Sequence, residues 1–171
     1  LPPPGHWALG ADTQAHAERL VAQAQREGLR TGWLASEAGF LSNLNIIENL
    51  RLLHDWYSDD GAAFEVALSK AVAQLPVPAT DWLQARPSQL GAATLLQARC
   101  LRLLLLRPDF VVLHPACLAQ AGPGLADQLV AGLAGARLLL LAEPMPDWPA
   151  WPPARPTGPA ASSAADEDTV V

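Results

Sequence analysis

Apolar and polar positions along this chain change period several times, and each change marks an element. From Asp12 or Thr13 to Glu27 the residues Ala17, Leu20, Val21 and Ala24 fall at i, i+3, i+4 and i+7. That spacing places them on one face of a helix, which Gly28 stops. A short strand and turn at Ala8-Leu9-Gly10 precede it, and a strand from Leu29 to Ala35 follows it. Asn45 with Glu48 three residues on has the form of a capping box. It opens a helix from Ile46 to about Tyr57 that is expected to bury Ile46, Ile47, Leu50, Leu53 and Trp56. Helices are also expected from Ala62 to Leu75, from Gln89 to Leu106 with Ser88 as cap, and from Gly124 to Leu133. Two short apolar runs, Phe110–Leu113 and Arg137–Ala142, read as buried strands.

Strand, helix, strand, a helical block, strand, helix, strand is the order of an α/β fold with a parallel sheet between helices. The pattern stops at Pro144. Residues 144–171 hold seven of the sixteen prolines and end in Ser, Ala and acids, so a tail without a core is expected there. Residues 1–143 are then one domain.

Composition narrows the function. Half of the residues are hydrophobic but only 16% are charged, which favours a surface covered by a partner. The net charge is −6 and Lys70 is the sole lysine, a poor endowment for contacting nucleic-acid phosphates. Two cysteines, Cys100 and Cys117, are too few for a disulfide scaffold and fit a reducing compartment. His114 and Cys117 lack a second pair of ligands at metal-site spacing, so no metal site is expected. The opening LPPPGHWALG has no basic region before an apolar one, so it does not read as a secretory signal. Leu101–Leu113 is too short and too interrupted by charge to span a bilayer.

Several segments resemble nucleotide-binding subunits of ABC transporters. GFLSNLNIIENLRLLHDWY, residues 39–57, is similar to the stretch after the family's Q-loop, with Leu41, Leu44, Ile46, Glu48, Asn49 and Leu50 on its pattern. RPSQL, residues 86–90, resembles the lead-in to the LSGGQ signature. From Leu90 the comparison runs without a gap: Arg102 falls on the arginine of A-R-A-L, and LRPDFVVLHPA overlays the Walker B strand. GARLLLLAEP overlays the strand leading to the switch histidine. Within the family the chain most resembles the lipid-trafficking (Mce-type) and related importer ATPases. The resemblance implies a P-loop NTPase-like three-layer sheet with a helical subdomain at about residues 40–106.

The positions that carry chemistry in that family hold different residues here. Gly10 matches the first P-loop glycine, but His16 and Ala17 stand where Lys and Ser/Thr belong. An imidazole does not replace the fixed lysine charge, and Ala17 offers a metal no oxygen. Ser36 stands at the Q-loop glutamine and Gly91 at the signature serine. His114 and Pro115 replace the Walker B aspartate and the glutamate that polarises water, and Glu143 replaces the switch histidine. The interval from His16 to Ser36 is also shorter than in the family.

The leading expectation is therefore a degenerate, non-hydrolysing ATPase-like subunit. It would be cytoplasmic and peripheral on the inner membrane, bound to a permease and beside a second ATPase subunit, with no cofactor of its own. Phe40, Leu41, Leu44, Ile46 and Trp56 are the expected permease contacts, because this region receives the membrane partner in the family. One alternative keeps turnover of ATP and Mg²⁺ through an upstream Walker A or a composite site. Another is an α/β binding protein unrelated to transport. Read without the resemblance, His114 is a hydrogen-bonded strand-end residue, His16 a solvent-facing helical one, and Asp59-Asp60 a helix-ending turn.

Overall fold

Residues 6–9, 13–35, 39–57, 61–75 and 81–141 are described by the computed structural model of the protein. Their order is β1 (His6–Leu9), α1 (Thr13–Arg26), β2 (Thr31–Leu34), α2 (Ile46–Tyr57), α3 (Gly61–Val72), a 3₁₀ turn (Pro87–Gln89), α4 (Ala92–Leu106), β3 (Phe110–Leu113), α5 (Pro115–Gly132) and β4 (Arg137–Leu141). The four strands form one sheet in the order β1-β4-β3-β2. All three pairings are parallel, with Leu9 opposite Leu141, Leu113 opposite Leu140 and Leu34 opposite Leu113. The C-terminal ends of all four strands therefore share one edge.

Strand alternation assigns the two faces. Phe110, Val112, Leu139 and Leu141 pack with Ala17 and Ala24 of α1. Val111, Leu113 and Leu138 point the other way into a larger core that includes Leu101 and Leu104 of α4 and Leu118 and Leu129 of α5. β3 is buried along its whole length, as an interior strand of a parallel sheet must be. This is the expected three-layer α/β arrangement. The layers are close: a Cβ on Gly32 of β2 would lie 2.6 Å from Leu103 Cδ2 and 2.8 Å from Pro108 Cγ.

The helical block α2–α4 lies against that larger core. Asn45 and Glu48 make the capping box in both directions, each backbone N–H donating to the other's side-chain oxygen at 2.8 Å. The N–H groups of Ile46 and Ile47 donate at 3.0 Å to the carbonyls of Ala85 and Leu83. Orphan donors at the start of α2 are thus satisfied by a distant loop as well as by the cap.

Two helices depart from the sequence reading. Pro87–Gln89 forms its own 3₁₀ turn and Leu90 is extended, so α4 begins at Ala92 with Gly91 rather than Ser88 as N-cap. α5 begins at Pro115, nine residues before Gly124, because proline suits a first helical turn and His114 adopts the extended N-cap conformation. Gly122, at φ 74° and ψ 164°, then breaks the helix before Pro123. The tail expected at 144–171 lies outside the described residues, as do Asp59 and Asp60.

Candidate functional site

In open α/β sheets ligands bind beyond the carboxyl ends of the strands, where neighbouring connections leave toward opposite faces. Here β1 feeds α1 on one face and β3 feeds α5 on the other. β4 lies between these two strands in the sheet, and the family resemblance assigns its phosphate chemistry to these strand ends. Gly10, Ser36 and Glu143 follow β1, β2 and β4 in sequence but lie outside the described residues.

The described candidates are His16, Ala17, Gly91, His114 and Pro115. His16 is exposed on α1, whereas Ala17, one residue on, is fully buried against the sheet. The position assigned to a metal-binding hydroxyl thus contributes a methyl group to the core. His114 follows β3 and is half-buried. Its N–H donates to the Leu34 carbonyl at 3.0 Å, and its own carbonyl accepts from Cys117 and Leu118 at 3.0 and 3.2 Å. The backbone of His114 therefore splices β3 to β2 and starts α5, while its side chain makes no capping hydrogen bond. Pro115 is buried at the first turn of α5. This strand end presents an imidazole and a pyrrolidine ring and no carboxylate.

Gly91 lies far along the chain at the start of α4. A Cβ there would meet nothing within 4 Å, so crowding does not explain the absent signature hydroxyl. Among the described residues no cluster of three or more His, Cys, Asp or Glu could hold a metal ion, and no helix is long and apolar enough to cross a membrane.

The segment after β2 is the better-built feature. Asn49, only 4% exposed, grips it with one side chain. Its Oδ1 accepts from the Leu41 N–H at 2.7 Å. Its Nδ2 faces the carbonyls of Asn45 at 2.9 Å, Leu41 at 3.1 Å and Leu44 at 3.3 Å. One N–H needing an acceptor and three carbonyls needing a donor fix which way the amide points. From α4, Arg102 donates to the Gly39 carbonyl at 3.2 Å and lays its guanidinium 5.2 Å from the Phe40 ring centre. Burial, and then Arg99, pull Arg102 below the usual arginine value.

The five expected contact residues separate accordingly. Leu41 and Trp56 are exposed, at 52% and 81%. Phe40 and Leu44 are half-buried, Phe40 beneath Arg102. Ile46 has no exposed surface, as the helix pattern expected, and drops out as a contact, since it opens the inward face that α2 continues through Leu50 and His54. The burial expected of Trp56 from the same pattern is corrected by its exposure. Leu52, 51% exposed, was missed. On a 3.6-residue helix Asn49, Leu52 and Trp56 share one side at i, i+3 and i+7. Leu41 is pinned at the Asn49 end, so Leu41, Leu52 and Trp56 line one flank of α2. The i, i+4 spacing of Leu52 and Trp56 was the available signal.

Behind this edge lie the two free thiols, Cys100 and Cys117, both buried. Burial, reinforced by Cys117, pushes the Cys100 thiol up to about 12, with Arg99 pulling the other way. Burial also raises Cys117. Thiols held protonated and out of solvent are inert. Iodoacetamide at pH 8 is expected to leave both unmodified in the native chain and to label both in urea; labelling of the folded chain would contradict this. Protonation of a raised group stabilises the fold fully below the unfolded value near 9. That stability is lost as pH rises from about 9 toward 12.

No family model matches the sequence, and no curated protein matches it. Solved structures do match in fold. The ATP-binding subunit of an ABC transporter is similar at a TM-score of 0.63 and 14% identity, over 80% of this chain and 65% of that one. A bacterial ABC transporter cassette in dimeric form is similar at a TM-score of 0.54 and 12% identity, over 72% of this chain and 56% of that one. A dimeric ATP-binding cassette in a post-hydrolysis state with ADP and Pi follows, at 0.51 and 10%, over 71% and 55%. At these identities the likeness is one of fold. The chain spans just under two thirds of the first of these structures and little more than half of the others.

Proposed function

We propose that this protein is a non-hydrolysing ABC-type subunit that serves as a structural or regulatory partner of an inner-membrane permease, on its cytoplasmic side. The observation that carries the reading is Pro115, buried at the head of α5 directly after β3. The sheet end that would need two carboxylates is given over to starting a helix. Ala17, packed into the core, supports it from the opposite face. The resemblance to the lipid-trafficking importers extends the proposal to a lipid-class cargo.

The permease contact is the flank formed by Leu41, Leu52 and Trp56, with the first held in place by Asn49 and the others by α2. Aromatic anchors of this kind dominate interfaces, and losing one costs about 2 kcal/mol or more. Co-expressed with an ABC permease, the wild-type chain is expected to sediment with membranes. The Leu52→Glu/Trp56→Glu double variant is expected to bind at least about 30-fold more weakly. Its unfolding midpoint should hardly move, because both side chains face solvent. An unchanged membrane fraction for the double variant would count against this contact.

A second reading, a composite site shared with an active ATPase subunit, rests on the head of α4. Gly91, Ala92 and Ala93 are all exposed there and no side chain caps the helix. That end is open to a second cassette and its bound nucleotide.

A further inference from the structure

A groove of about 510 Å³ runs between α3 and the end of α4, away from the strand ends and the α2 flank. Its walls include Val66, Ala67, Leu104 and Leu105, and Lys70 and Arg107 also line it. We propose that it binds a long-chain carboxylate, the alkyl chain lying against Val66 and Ala67 over a floor formed by the edges of the buried Leu104 and Leu105, and the carboxylate between Lys70 and Arg107. This inference is independent of the permease reading.

Four observations support it. First, the two cations are at one end. A Cβ on Gly132 would collide with both Gln74 and Leu104, so the residue just past α3 lies beside the last turn of α4. Lys70 is one turn before Gln74, whose amide donates to its carbonyl at 3.3 Å, and Arg107 caps α4. Second, among the described residues neither cationic side chain has a hydrogen-bond or ion-pair partner, while nearby acids are engaged: Glu65 with Arg51, and Asp109 with Arg30 at 3.7 Å. Both charges are therefore available to an anion at the groove. Third, Arg107 has φ 44° and ψ 62°, the left-handed cap conformation that normally selects glycine or asparagine. Its positive charge offsets the negative end of α4, which would otherwise repel an anion there. Fourth, the size suits a narrow chain. The volume lies within the range of small-molecule sites, roughly 300–1,000 Å³. A docked protein needs about 800 Å² per partner, far more than one helical turn from Val66 to Lys70 offers.

Dodecanoate is the probe, used below its micellar range. Because Lys70 is the only lysine, reductive methylation read by mass spectrometry reports on it directly, apart from the terminal amine. Dodecanoate is expected to slow Lys70 methylation about tenfold or more, whereas dodecanol and acetate leave it unchanged. In calorimetric titration Arg107→Gly, which keeps the backbone cap and removes the charge, should bind dodecanoate about tenfold or more weakly. Val66→Trp, at an exposed position, should abolish binding while the chain stays folded. The proposal is overturned if dodecanoate fails to protect Lys70, if dodecanol protects equally, or if Arg107→Gly binds like the wild type. A groove reserved for an acidic helix of a partner protein would show no saturable dodecanoate binding, and that result also overturns it.

Discussion

Replacing Asn49 with alanine is expected to lower the unfolding free energy by about 2–4 kcal/mol, the largest loss from any single polar change among the described residues. The side chain is almost wholly buried and spans an accepted hydrogen bond of 2.7 Å and three donor contacts of 2.9 to 3.3 Å. A typical hydrogen bond nets about 1 kcal/mol, but an abandoned buried donor costs its full desolvation. Alanine would leave the Leu41 N–H without its acceptor. Asn49→Asp sharpens the test, because it keeps the shape and the acceptor but turns a carboxylate toward three carbonyls. It is expected to be at least as damaging near neutral pH and to recover partly as acid protonates the carboxyl. Urea unfolding at several pH values reads both, and proteolysis within residues 39–45 reads the loosened segment. An alanine variant within 0.5 kcal/mol of the wild type, on the order of ordinary surface changes, would show that the clamp contributes little.

The same residue shows what could be read from the chain and what could not. Periodicity places α1, α2 and the strands well, because those elements exist to bury one face or two. Phe110–Leu113 is apolar at every position, and the strand is buried on both sides. Asn49 carries no such signal. It is a polar residue on the apolar side of α2, and its partners are carbonyls of a loop that periodicity does not resolve. Ile46 misled for the opposite reason: hydrophobicity alone does not separate a core residue from a contact residue, and only the orientation of α2 does. The early part of α5 was hidden because His-Pro reads as the end of a strand, whereas proline is also a good first residue of a helix. Of the positions that the resemblance assigns to a nucleotide site, Ala17, His114 and Pro115 are the ones whose packing or backbone role the structure displays. Ala17 contacts a core that any small residue would fill, and His114 joins β3 to β2 through its backbone, which any side chain permits.

That separation between packing and chemistry is the central claim, and an ATP titration with and without Mg²⁺, followed by an assay of phosphate release, tests it most directly. Phosphoryl transfer is almost entirely positioning and charge neutralisation. Here the positions assigned to the P-loop lysine, the metal-binding hydroxyl and the two Walker B acids hold His16, Ala17, His114 and Pro115. Losing a single well-placed catalytic group costs about 10²–10⁴ in rate, so on the proposed reading, with all four replaced, nothing is expected above the protein-free blank. Restoring two of them, in His114→Asp/Pro115→Glu, should not recover turnover while the P-loop stays altered. The account predicts no Mg²⁺-dependent gain in ATP affinity and no Mg²⁺-dependent phosphate release by the purified chain. Saturable ATP binding that tightens with Mg²⁺ and proceeds to turnover would contradict it.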